Sequence, residues 1–372
     1  MIIKTEDIKS MCAKILPALD VNNYSMLTEV LQMTVSNGVL DIAITNKEYY
    51  VDVKFPMPNV NDFKATVKAA TFIKLIERIT TENIEFCLNS ADLVIKGNGT
   101  YKLPLIYDDD KLVELPKIEI NNVLNKFTIS GEILRSINTY NSKELLKGTI
   151  FKPVQNMYYV DNEGAITFTN GACINNFKLS QPVALLLNGK LVKLFNLFDA
   201  NAEVNFEFGV DAVSKNIEQT KVKFYTDNIF ITAILSCDST MMKSFPVNAI
   251  RNRLNSNYEY SVTIDKNYLL EALDRLSIFV STIKGSPYII FDVFKDKIIL
   301  SDINHENTEE ISFINEVNGV EDKYSMALDL NDFKLTLSNY NGQDVTFRFG
   351  DKQAVLIPNG NINIIIPEVL GA

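Results

Sequence analysis

Very few side chains in this sequence have the type and spacing that catalysis requires. The only histidine, His305, lies in the polar stretch SDINHENTEE, which favours an exposed loop or an edge strand over a general base or a metal ligand. The run Asp108-Asp109-Asp110 offers carboxylates to Mg²⁺, but consecutive carboxylates do not converge on one ion without further ligands, so a solvated acidic segment is favoured. The GxSxG, phosphate-loop and HExxH motifs are absent. The sequence therefore predicts no enzyme, no bound metal and no cofactor.

The four cysteines, Cys12, Cys87, Cys173 and Cys237, are far apart and form no CxxC pair. This spacing supports neither a structural metal site nor a disulfide framework, and free thiols are expected in a reducing cytosol. The first residues, MIIKTEDIKS, lack the basic and apolar regions of a signal peptide. No apolar run reaches the length of about eighteen residues that a membrane span needs. We therefore expect a cytoplasmic protein with no membrane partner.

Six amphipathic segments recur along the chain, and each follows a short apolar run. Apolar residues three or four positions apart predict a helix in every one of these segments. The predicted helices are Thr5–Leu19, Lys68–Thr80, Gly131–Lys147, Asn188–Phe198, Lys266–Lys284 and Asp329–Asn341. Thr5, Ser130, Asn188, Asp265 and Asp329 stand at or next to the helix starts, as N-capping residues do. Alternating apolar and polar runs with turn residues lie between the helices and predict antiparallel strands.

The spacing of these helices predicts the architecture. Single helices recur at about 60 residues and pairs of helices at about 125–140 residues, which indicates an internal repeat. We predict an α+β fold of three tandem copies of one domain, each built from two β-α-β-β-β halves. Boundaries are expected near Asp108–Leu124 and Ser244–Ser256, which places the domains at residues 1–124, 125–256 and 257–372.

The net charge of −10 argues by itself against a nucleic-acid partner, but the charge is unevenly distributed. The six predicted helices contain 14 Lys or Arg residues and 9 Asp or Glu residues, whereas the rest of the chain contains 22 and 37. Helices that share one surface would therefore attract DNA phosphates without reading bases. For any single lysine, a solvated polar helix face is the alternative. The candidate DNA-binding residues are Lys9, Lys14, Lys68, Lys74, Arg78, Arg135, Lys143, Lys147, Lys190, Lys193, Arg275, Lys284 and Lys334.

Three stretches carry a family resemblance over essentially the whole chain. They are LTEVLQMTVSNGVLDIAITNKEYYVDVKF with FKATVKAATFIKLIERI, then LSCDSTMMKSFPV, and finally NINIIIPEVL. In that order they resemble the first domain, the connection into the third domain and the C-terminal stretch of the bacterial β sliding clamp, the DNA polymerase III subunit beta family. The resemblance implies three tandem DNA-clamp domains and a head-to-tail homodimer, with helices that line the inside of a ring and antiparallel sheets outside. It places Tyr101 and Leu103 against Phe279 and Val280 at the dimer interface.

The resemblance also implies a function. Members of this family encircle duplex DNA without sequence preference, after a clamp loader has placed them there, and tether a replicative DNA polymerase and other replication or repair proteins. The chain would accordingly be a polymerase processivity factor. The repeat alone leaves an alternative, which is a non-catalytic repeat scaffold or a virion assembly protein without DNA in a ring.

The family binds partner peptides in a hydrophobic pocket between its second and third domains, and the resemblance carries that pocket over by position. The pocket residues are Thr169, Gly171, Ala172, Cys173, Ile174, Pro246, Ile250, Ala354, Ile364, Ile365, Ile366, Pro367, Glu368, Val369 and Leu370. Two departures from the family pattern change its polar contacts: Ala172-Cys173 stands in place of a His-Arg pair, and Glu368-Val369 in place of a Met-Arg pair. These departures fit a divergent member, for instance a phage-encoded one that acts in a host cytoplasm.

Overall fold

The computed structural model describes most of the chain. It leaves out residues 20–24, 139–156, 169–171, 176–182, 215–216, 236–238, 281–286, 316–319, 321–322, 351–353, 361 and 369–372. For residues 167, 168, 172–175, 217 and 239 it describes the backbone alone. Seven predicted site residues lie outside the described residues: Lys143, Lys147, Lys284, Thr169, Gly171, Val369 and Leu370.

Short helices are distributed along the described part of the chain. The α-helices are α1 (Thr5–Ile15), α2 (Met26–Glu29), α3 (Ala69–Arg78), α4 (Gly131–Ile137), α5 (Gly189–Lys193), α6 (Ser239–Ser244), α7 (Val247–Leu254), α8 (Lys266–Ser277) and α9 (Leu330–Ser338). Two 3₁₀ helices, η1 (Leu16–Ala18) and η2 (Leu194–Leu197), continue α1 and α5. None of the helices in this part combines the length and the apolar character that spanning a lipid bilayer requires.

The strands pair in antiparallel fashion wherever the structure describes them. In the N-terminal part they are β1 (Ile2–Lys4), β2 (Val30–Ser36), β3 (Val39–Thr45), β4 (Tyr49–Pro56), β5 (Phe63–Lys68), β6 (Asn83–Leu88), β7 (Asp92–Lys96), β8 (Thr100–Pro104), β9 (Tyr107–Asp108), β10 (Lys111–Leu112) and β11 (Val123–Ser130). The middle of the chain holds β12 (Met157–Asp161), β13 (Gly164–Phe168), β14 (Ala172–Asn175), β15 (Leu185–Asn188), β16 (Glu203–Ser214), β17 (Ile217–Tyr225) and β18 (Ile229–Leu235). The last strands are β19 (Tyr260–Asp265), β20 (Tyr288–Val293), β21 (Ile298–Ser301), β22 (Thr308–Ile311), β23 (Tyr324–Asp329), β24 (Asp344–Phe349), β25 (Ala354–Asn359) and β26 (Ile362–Pro367).

The order of these elements repeats the unit β-α-β-β-β six times. The first unit runs from β1 through α1 to β2, β3 and β4, and the units that begin at β5, β11, β15, β19 and β23 follow the same order. In all six, a strand leads into an amphipathic helix. The predicted α+β fold built from β-α-β-β-β halves is therefore confirmed.

A helix is present in each of the six predicted segments, and local capping explains three of the six starts. The side chains of Ser130, Asp265 and Asp329 accept hydrogen bonds from backbone amides two or three residues further on. These bonds satisfy amides that a helix start leaves without partners. Thr5 departs from the predicted capping role, because it lies inside α1 and its Oγ1 donates to the carbonyl of Thr81.

The helix ends differ from the prediction where the sequence interrupts the helix. α1 ends at Ile15 because Pro17 has no amide hydrogen to continue the ladder, and the chain goes on as η1. α5 gives way to η2 after Lys193. α2, α6 and α7 were not predicted, because helices of four to eight residues carry too little apolar periodicity to be recognised.

The strands form four main sheets in which paired halves exchange their first strands. The orders are β1-β6-β7-β8, β11-β16-β17-β18-β4-β3-β2-β5, β15-β12-β13-β14-β26-β25-β24-β19 and β22-β21-β20-β23. β1 thus lies beside β6 of the second half, while β5 lies beside β2 of the first half, and the other two pairs of halves repeat this exchange. β9 and β10 form a separate two-stranded hairpin.

The chain divides into two compact units. Unit 1 comprises Met1–Asn138 and Lys190–Cys237, and unit 2 comprises Thr139–Gly189 and Asp238–Ala372. Each unit holds one four-stranded and one eight-stranded sheet. The predicted middle domain, residues 125–256, contributes to both units, and the two predicted domain boundaries stay predictions.

Candidate functional site

Ten of the thirteen predicted DNA-binding residues lie in the described part of the chain, on helices or directly before one. They are Lys9 and Lys14 on α1, Lys68, Lys74 and Arg78 at α3, Arg135 on α4, Lys190 and Lys193 on α5, Arg275 on α8 and Lys334 on α9. Seven of them are exposed, while Lys9, Lys14 and Lys334 are half-buried. The opposite helix faces bury apolar residues such as Phe72 and Leu269. The cations therefore lie on the solvated faces of amphipathic helices.

Three of these cations are already neutralised by carboxylates. Arg275 makes a two-point contact with Glu309, at 2.7 Å and 3.0 Å. Lys334 pairs with Asp274, and Lys68 lies 3.7 Å from Glu29. In contrast, six cations form no ion pair within 4 Å among the described residues: Lys9, Lys14, Lys74, Arg78, Arg135 and Lys193. These six offer the least compensated positive charge to a phosphate.

Several of the uncompensated cations also have a local role. Arg78, Arg135 and Lys193 lie in the last turns of α3, α4 and α5, where they interact favourably with the partial negative charge of the helix end. This role needs no partner molecule. Because all three side chains are exposed, it leaves them accessible to DNA.

The described part of the predicted peptide site is built by three strands and one helix of unit 2. The β14–β26 register sets Ala172 opposite Ile365, Cys173 opposite Ile364 and Ile174 opposite Asn363. On the other side of β26, Ala354 of β25 lies opposite Pro367. Pro246 is the N-cap residue of α7, which packs against β26. The fold thus brings together residues that are almost 200 positions apart in the sequence.

Alternation along β26 divides its apolar side chains between two faces of the sheet. Ile364 and Ile366 belong to the apolar core of unit 2. Ile365, between them, points to the opposite face and is buried there, as Ile250 of α7 is buried outside that core. Pro367 is exposed. Ile365 is therefore the isoleucine of this strand that faces away from the core, and its role in peptide binding stays a prediction.

A charged cluster beside these residues was missed by the sequence reasoning. Arg251 of α7 lies 2.7 Å from Asp161 Oδ1 and 3.1 Å from Glu163 Oε2. The ring of Tyr159 stacks on Phe245 at a centroid distance of 5.5 Å, and burial, followed by the charge of Asp161, raises the pKa of the Tyr159 hydroxyl. Arg251 and Asp161 are 90 positions apart, so no local pattern could have indicated the contact.

Glu368, at one of the two departures from the family pattern, has a defined contact. Its Oε1 accepts a hydrogen bond from the Tyr324 hydroxyl at 3.1 Å. The Tyr324 ring packs in turn against Tyr260 and Phe349, at centroid distances of 5.7 Å and 5.2 Å. The Glu368 carboxylate is therefore held by an aromatic cluster that belongs to unit 2.

The predicted dimer-interface residues lie at or near outer strands of the two four-stranded sheets. Tyr101 and Leu103 are on β8, which is the last strand of its sheet, and β22 is an outer strand of the other. Phe279 and Val280 follow α8 directly. Phe279 is 55% exposed and its neighbour Ile278 is 78% exposed, whereas Tyr101 and Val280 are half-buried and Leu103 is buried.

The few groups with potential reactivity are held in structural contacts. His305 Nδ1 lies 2.9 Å from Ser301 Oγ and 3.9 Å from Asp292 Oδ2. Both partners face the same ring nitrogen and Ser301 is fully buried, so the three groups cannot act as a nucleophile relay. Burial, with Glu77 nearby, raises the pKa of the Cys12 thiol to about 12, which keeps it protonated and unreactive. Among the described residues, no cluster of three His, Cys, Asp or Glu side chains is suited to hold a metal ion.

Comparison with solved structures identifies the fold. DNA polymerase III subunit beta from Borrelia burgdorferi superposes with a TM-score of 0.78 at 15% identity, over 100% of this chain and 99% of that one. A sliding clamp from Pseudomonas aeruginosa gives 0.79 at 14% identity, over 99% and 98% of the two chains. The beta subunit from Thermotoga maritima gives 0.77 at 15% identity, over 100% and 99%. No protein-family model and no curated protein matches the sequence. The chain has the sliding-clamp fold over its whole length, as the sequence resemblance implied.

Proposed function

We propose that this chain is a DNA sliding clamp, which closes as a ring dimer around duplex DNA and tethers a DNA polymerase. The observation that carries the proposal is the likeness to DNA polymerase III beta subunits, which extends over both chains almost completely. A scaffold protein that shared only one or two repeats with these beta subunits would not match them from end to end. The element order, six β-α-β-β-β units whose helices each carry an exposed or half-buried cation, adds an independent reason.

The charge distribution supports binding to duplex DNA without sequence preference. Cations such as Lys74 and Lys193 are exposed and form no ion pair within the described residues. When such a cation contacts a DNA phosphate, counterions held by the DNA are released, and this release favours binding. Contacts with phosphates position DNA but carry no base information. Such contacts exchange easily, which lets a ring slide. The acidic remainder of the chain repels DNA from the other surfaces.

The two outer strands β8 and β22 support a head-to-tail homodimer. In the described structure each pairs with only one neighbour, β7 and β21 respectively, and an outer strand presents unpaired backbone groups to another chain. Lys102 on β8 is exposed, whereas Glu309 and Glu310 on β22 are already paired with Arg275 and Lys297, so the backbone edges and not the charges support this contact. The exposed Phe279 follows α8, which contacts β22, and would become buried in such an interface.

The region around α7 and β26 supports peptide binding by polymerase, clamp loader and other replication proteins. Ile250 and Ile365 lie outside the main core of unit 2, and Pro367 is exposed. Burying one apolar anchor contributes about 1.5–3 kcal/mol, so two or three anchors approach the roughly 8 kcal/mol of micromolar binding. That affinity lets partners exchange on one clamp. The Glu368 carboxylate and the Arg251 cluster would select the polar residues of the partner peptide.

Topological retention on DNA tests the ring. The dimer is closed covalently by a cross-linker in the presence of nicked circular DNA, and the mixture is then filtered at high salt. We expect the protein to stay with the circle and to be lost once a restriction enzyme linearises it. Equal retention on circular and linear DNA would contradict the ring, and loss from both forms would favour a scaffold that never encloses DNA.

A truncation tests the peptide site separately from the ring. Removal of residues 369–372 leaves β26 (Ile362–Pro367) complete, and we expect it to abolish binding of the replicative polymerase while the dimer persists. Size-exclusion chromatography measures the dimer and surface plasmon resonance the polymerase. Unchanged polymerase binding would remove this region from the proposal without affecting the ring.

A further inference from the structure

A cavity of about 400 Å³ lies in unit 1, on a sheet face that takes no part in the proposed DNA, peptide or dimer contacts. Residues 113–117 cross this face and are tied to it by two hydrogen bonds. The Leu115 amide donates to Gln32 Oε1 at 2.9 Å, and Thr66 Oγ1 donates to the Val113 carbonyl at 2.6 Å. We call the space between residues 113–117 and the sheet the strap cavity.

The strap cavity is lined by polar side chains of β2 and β3. On β2, Gln32 and Thr34 alternate with the fully buried Leu31 and Met33 and therefore point away from the apolar core. Part of the lining is apolar, because Ala43 of β3 packs against Leu115 of the crossing segment in a buried cluster. The polar side chains beside this cluster offer hydrogen-bonding groups to a polar ligand.

Asp41 is the residue of the strap cavity whose hydrogen-bonding capacity is unused. Its Oδ1 is buried and has no hydrogen-bond partner among the described residues. A buried charged acceptor without a donor is unfavourable. Because the Asp41 side chain is only half-buried, a donor that enters the cavity meets the carboxylate through its other oxygen, and the charge of the whole carboxylate would then be compensated.

The lysines near the strap cavity do not supply that donor. Lys64 forms an ion pair with Glu114, and Lys54 lies 3.7 Å from Asp52. Lys117 is exposed and forms no ion pair within 4 Å in the described part of the chain. None of the three ammonium groups forms an ion pair with the half-buried Asp41 carboxylate in the described structure, so the carboxylate is left for a cation from another molecule.

The raised pKa values of Asp41, in the cavity, and of the nearby Asp52 are consistent with a site for a cation from another molecule. Burial raises the pKa of Asp41, and Lys54 and Lys117 lower it only in part. On the neighbouring strand, burial and then the charge of Asp41 raise the pKa of Asp52 to about 7. A cation bound beside them would favour the ionised form of both groups.

We propose that the strap cavity binds the ammonium or guanidinium group of a ligand, with the Asp41 carboxylate as its acceptor. The volume of the cavity accommodates an amino-alkyl or arginine-sized group. Two sources carry this chemistry, a free polyamine and a Lys or Arg side chain of a partner polypeptide. The site is independent of the proposed clamp function, because it uses none of the residues assigned to DNA, peptide or dimer contacts.

Calorimetric titration of the full chain tests the proposal, with spermidine and N-acetyl-arginine amide as separate probes. The pH is set above the raised pKa of Asp52, so that the carboxylates are ionised. We expect saturable binding of at least one probe, and Asp41→Asn should weaken it at least tenfold, because a charge-assisted hydrogen bond is lost. Asp199→Asn removes the same charge from an exposed position of unit 1 and should leave the affinity within about twofold.

Two further variants distinguish the ligand from an internal ion pair and from misfolding. Lys117→Ala removes an ammonium group that could compete for Asp41, so binding should be kept or strengthened; a loss as large as that of Asp41→Asn would overturn the proposal. Asp41→Glu keeps the carboxylate and should retain saturable binding, even if Asp41→Asn lowers the melting temperature. The absence of saturable binding of either probe would also overturn it. A preference for spermidine would assign the site to a free polyamine, and a preference for the arginine amide to a polypeptide side chain.

Discussion

Asp52 has a carboxyl group whose ionisation is changed strongly by burial. Burial raises the pKa of its carboxyl to about 7, and Asp41 adds to this, although Lys54, Lys117 and Lys223 act in the opposite direction. Between the ordinary Asp pKa near 4 and about 7, the folded chain holds a proton that the unfolded chain has released. The stability that this proton contributes is present at low pH and is lost as the pH rises through that window.

We expect Asp52→Asn to remove this dependence. The amide stays neutral at every pH, so the variant should gain stability relative to the parent chain, on the order of a few kcal/mol, as the pH rises from about 4 to 8. Urea unfolding at a series of pH values measures the difference. Asp199→Asn, at an exposed position, should show a difference that does not change with pH. A constant difference for Asp52→Asn would show that the carboxyl is already ionised in the folded chain near pH 5.

Arg251 and Arg275 provide a matched pair of ion-paired arginines in unit 2. The Arg251 side chain is 20% exposed and its partner Asp161 is 11% exposed, whereas Arg275 is 50% exposed. Truncation of a buried partner leaves an uncompensated charge, but water replaces an exposed one. Arg251→Ala should therefore lower the free energy of unfolding by roughly 2–4 kcal/mol, and Arg275→Ala by less than about 1 kcal/mol. Chemical denaturation measures both, and equal losses would contradict the difference in burial.

Single residues were predictable from the sequence where a local pattern determines their position. Exposed helix cations such as Lys74 follow from amphipathic periodicity, and Asp265 and Asp329 follow from capping chemistry. Which cation is neutralised could not be predicted, because Glu309 reaches Arg275 from a strand 34 positions away. Ion pairs of this kind depend on tertiary packing.

At the scale of elements, the edge of the sheet that ends in β22 is expected to hold two copies of the chain together. Ile278 and Phe279 follow α8 and are 78% and 55% exposed, which is costly for large apolar side chains unless another surface covers them. In the proposed dimer they meet the other edge, which carries Tyr101 and Leu103. Their burial would then contribute to association but not to the folding of one chain.

Ile278→Ser combined with Phe279→Ser should therefore weaken the dimer and leave the melting temperature of the monomer almost unchanged. Burial of the two side chains contributes about 1.5–3 kcal/mol each, so the dimer dissociation constant should rise by at least tenfold. Analytical ultracentrifugation over a range of concentrations measures it. Ile314→Ser, at a position that is 62% exposed in the same unit, is the control. An equal effect of the control would show that the loss is not specific to this edge.

The elements themselves were largely predictable, and their ends and partners less so. At each transition from strand to helix, the spacing of apolar residues changes from two positions to three or four. The structure has a helix in all six of these places. The end of α1 depends on Pro17, a local signal that the apolar pattern alone overlooks. α7 escaped prediction because its eight residues, VNAIRNRL, are too few to establish a helical period, and it packs against β26, which is distant in the sequence.

At the scale of the whole molecule, the sixfold repeat was readable in the sequence but the exchange of first strands was not. Apolar alternation shows that β1 and β5 are strands, yet it contains no information on which sheet receives them. Their positions beside β6 and β2 are determined by long-range pairing, because any strand with one apolar face satisfies the same pattern. The resemblance to a known family supplied the architecture that the periodicity left open.

Because the helices recur along the whole chain, the proposed DNA contacts are distributed over the whole molecule. The salt dependence of DNA binding measures how many phosphate contacts form. Each phosphate contact that is lost lowers the slope of log Kd against log salt concentration by about 0.9. Lys74 and Lys193 are exposed helix cations without an ion pair in the described structure, whereas Lys96 and Lys126 are strand lysines paired with Glu85 and Glu207. Both pairs belong to unit 1, and removal of either pair changes the net charge by the same amount.

We therefore expect Lys74→Ala with Lys193→Ala to lower the slope by up to about 3.6 for the proposed dimer, which loses two contacts in each chain, and to weaken binding to duplex DNA of any sequence. Lys96→Ala with Lys126→Ala should leave the slope almost unchanged, because carboxylates and not phosphates neutralise those two lysines. Fluorescence anisotropy of a labelled duplex at several salt concentrations measures both variants. If the two double variants lost the same slope, net charge alone would account for binding, and the helix faces would have no special part in holding DNA.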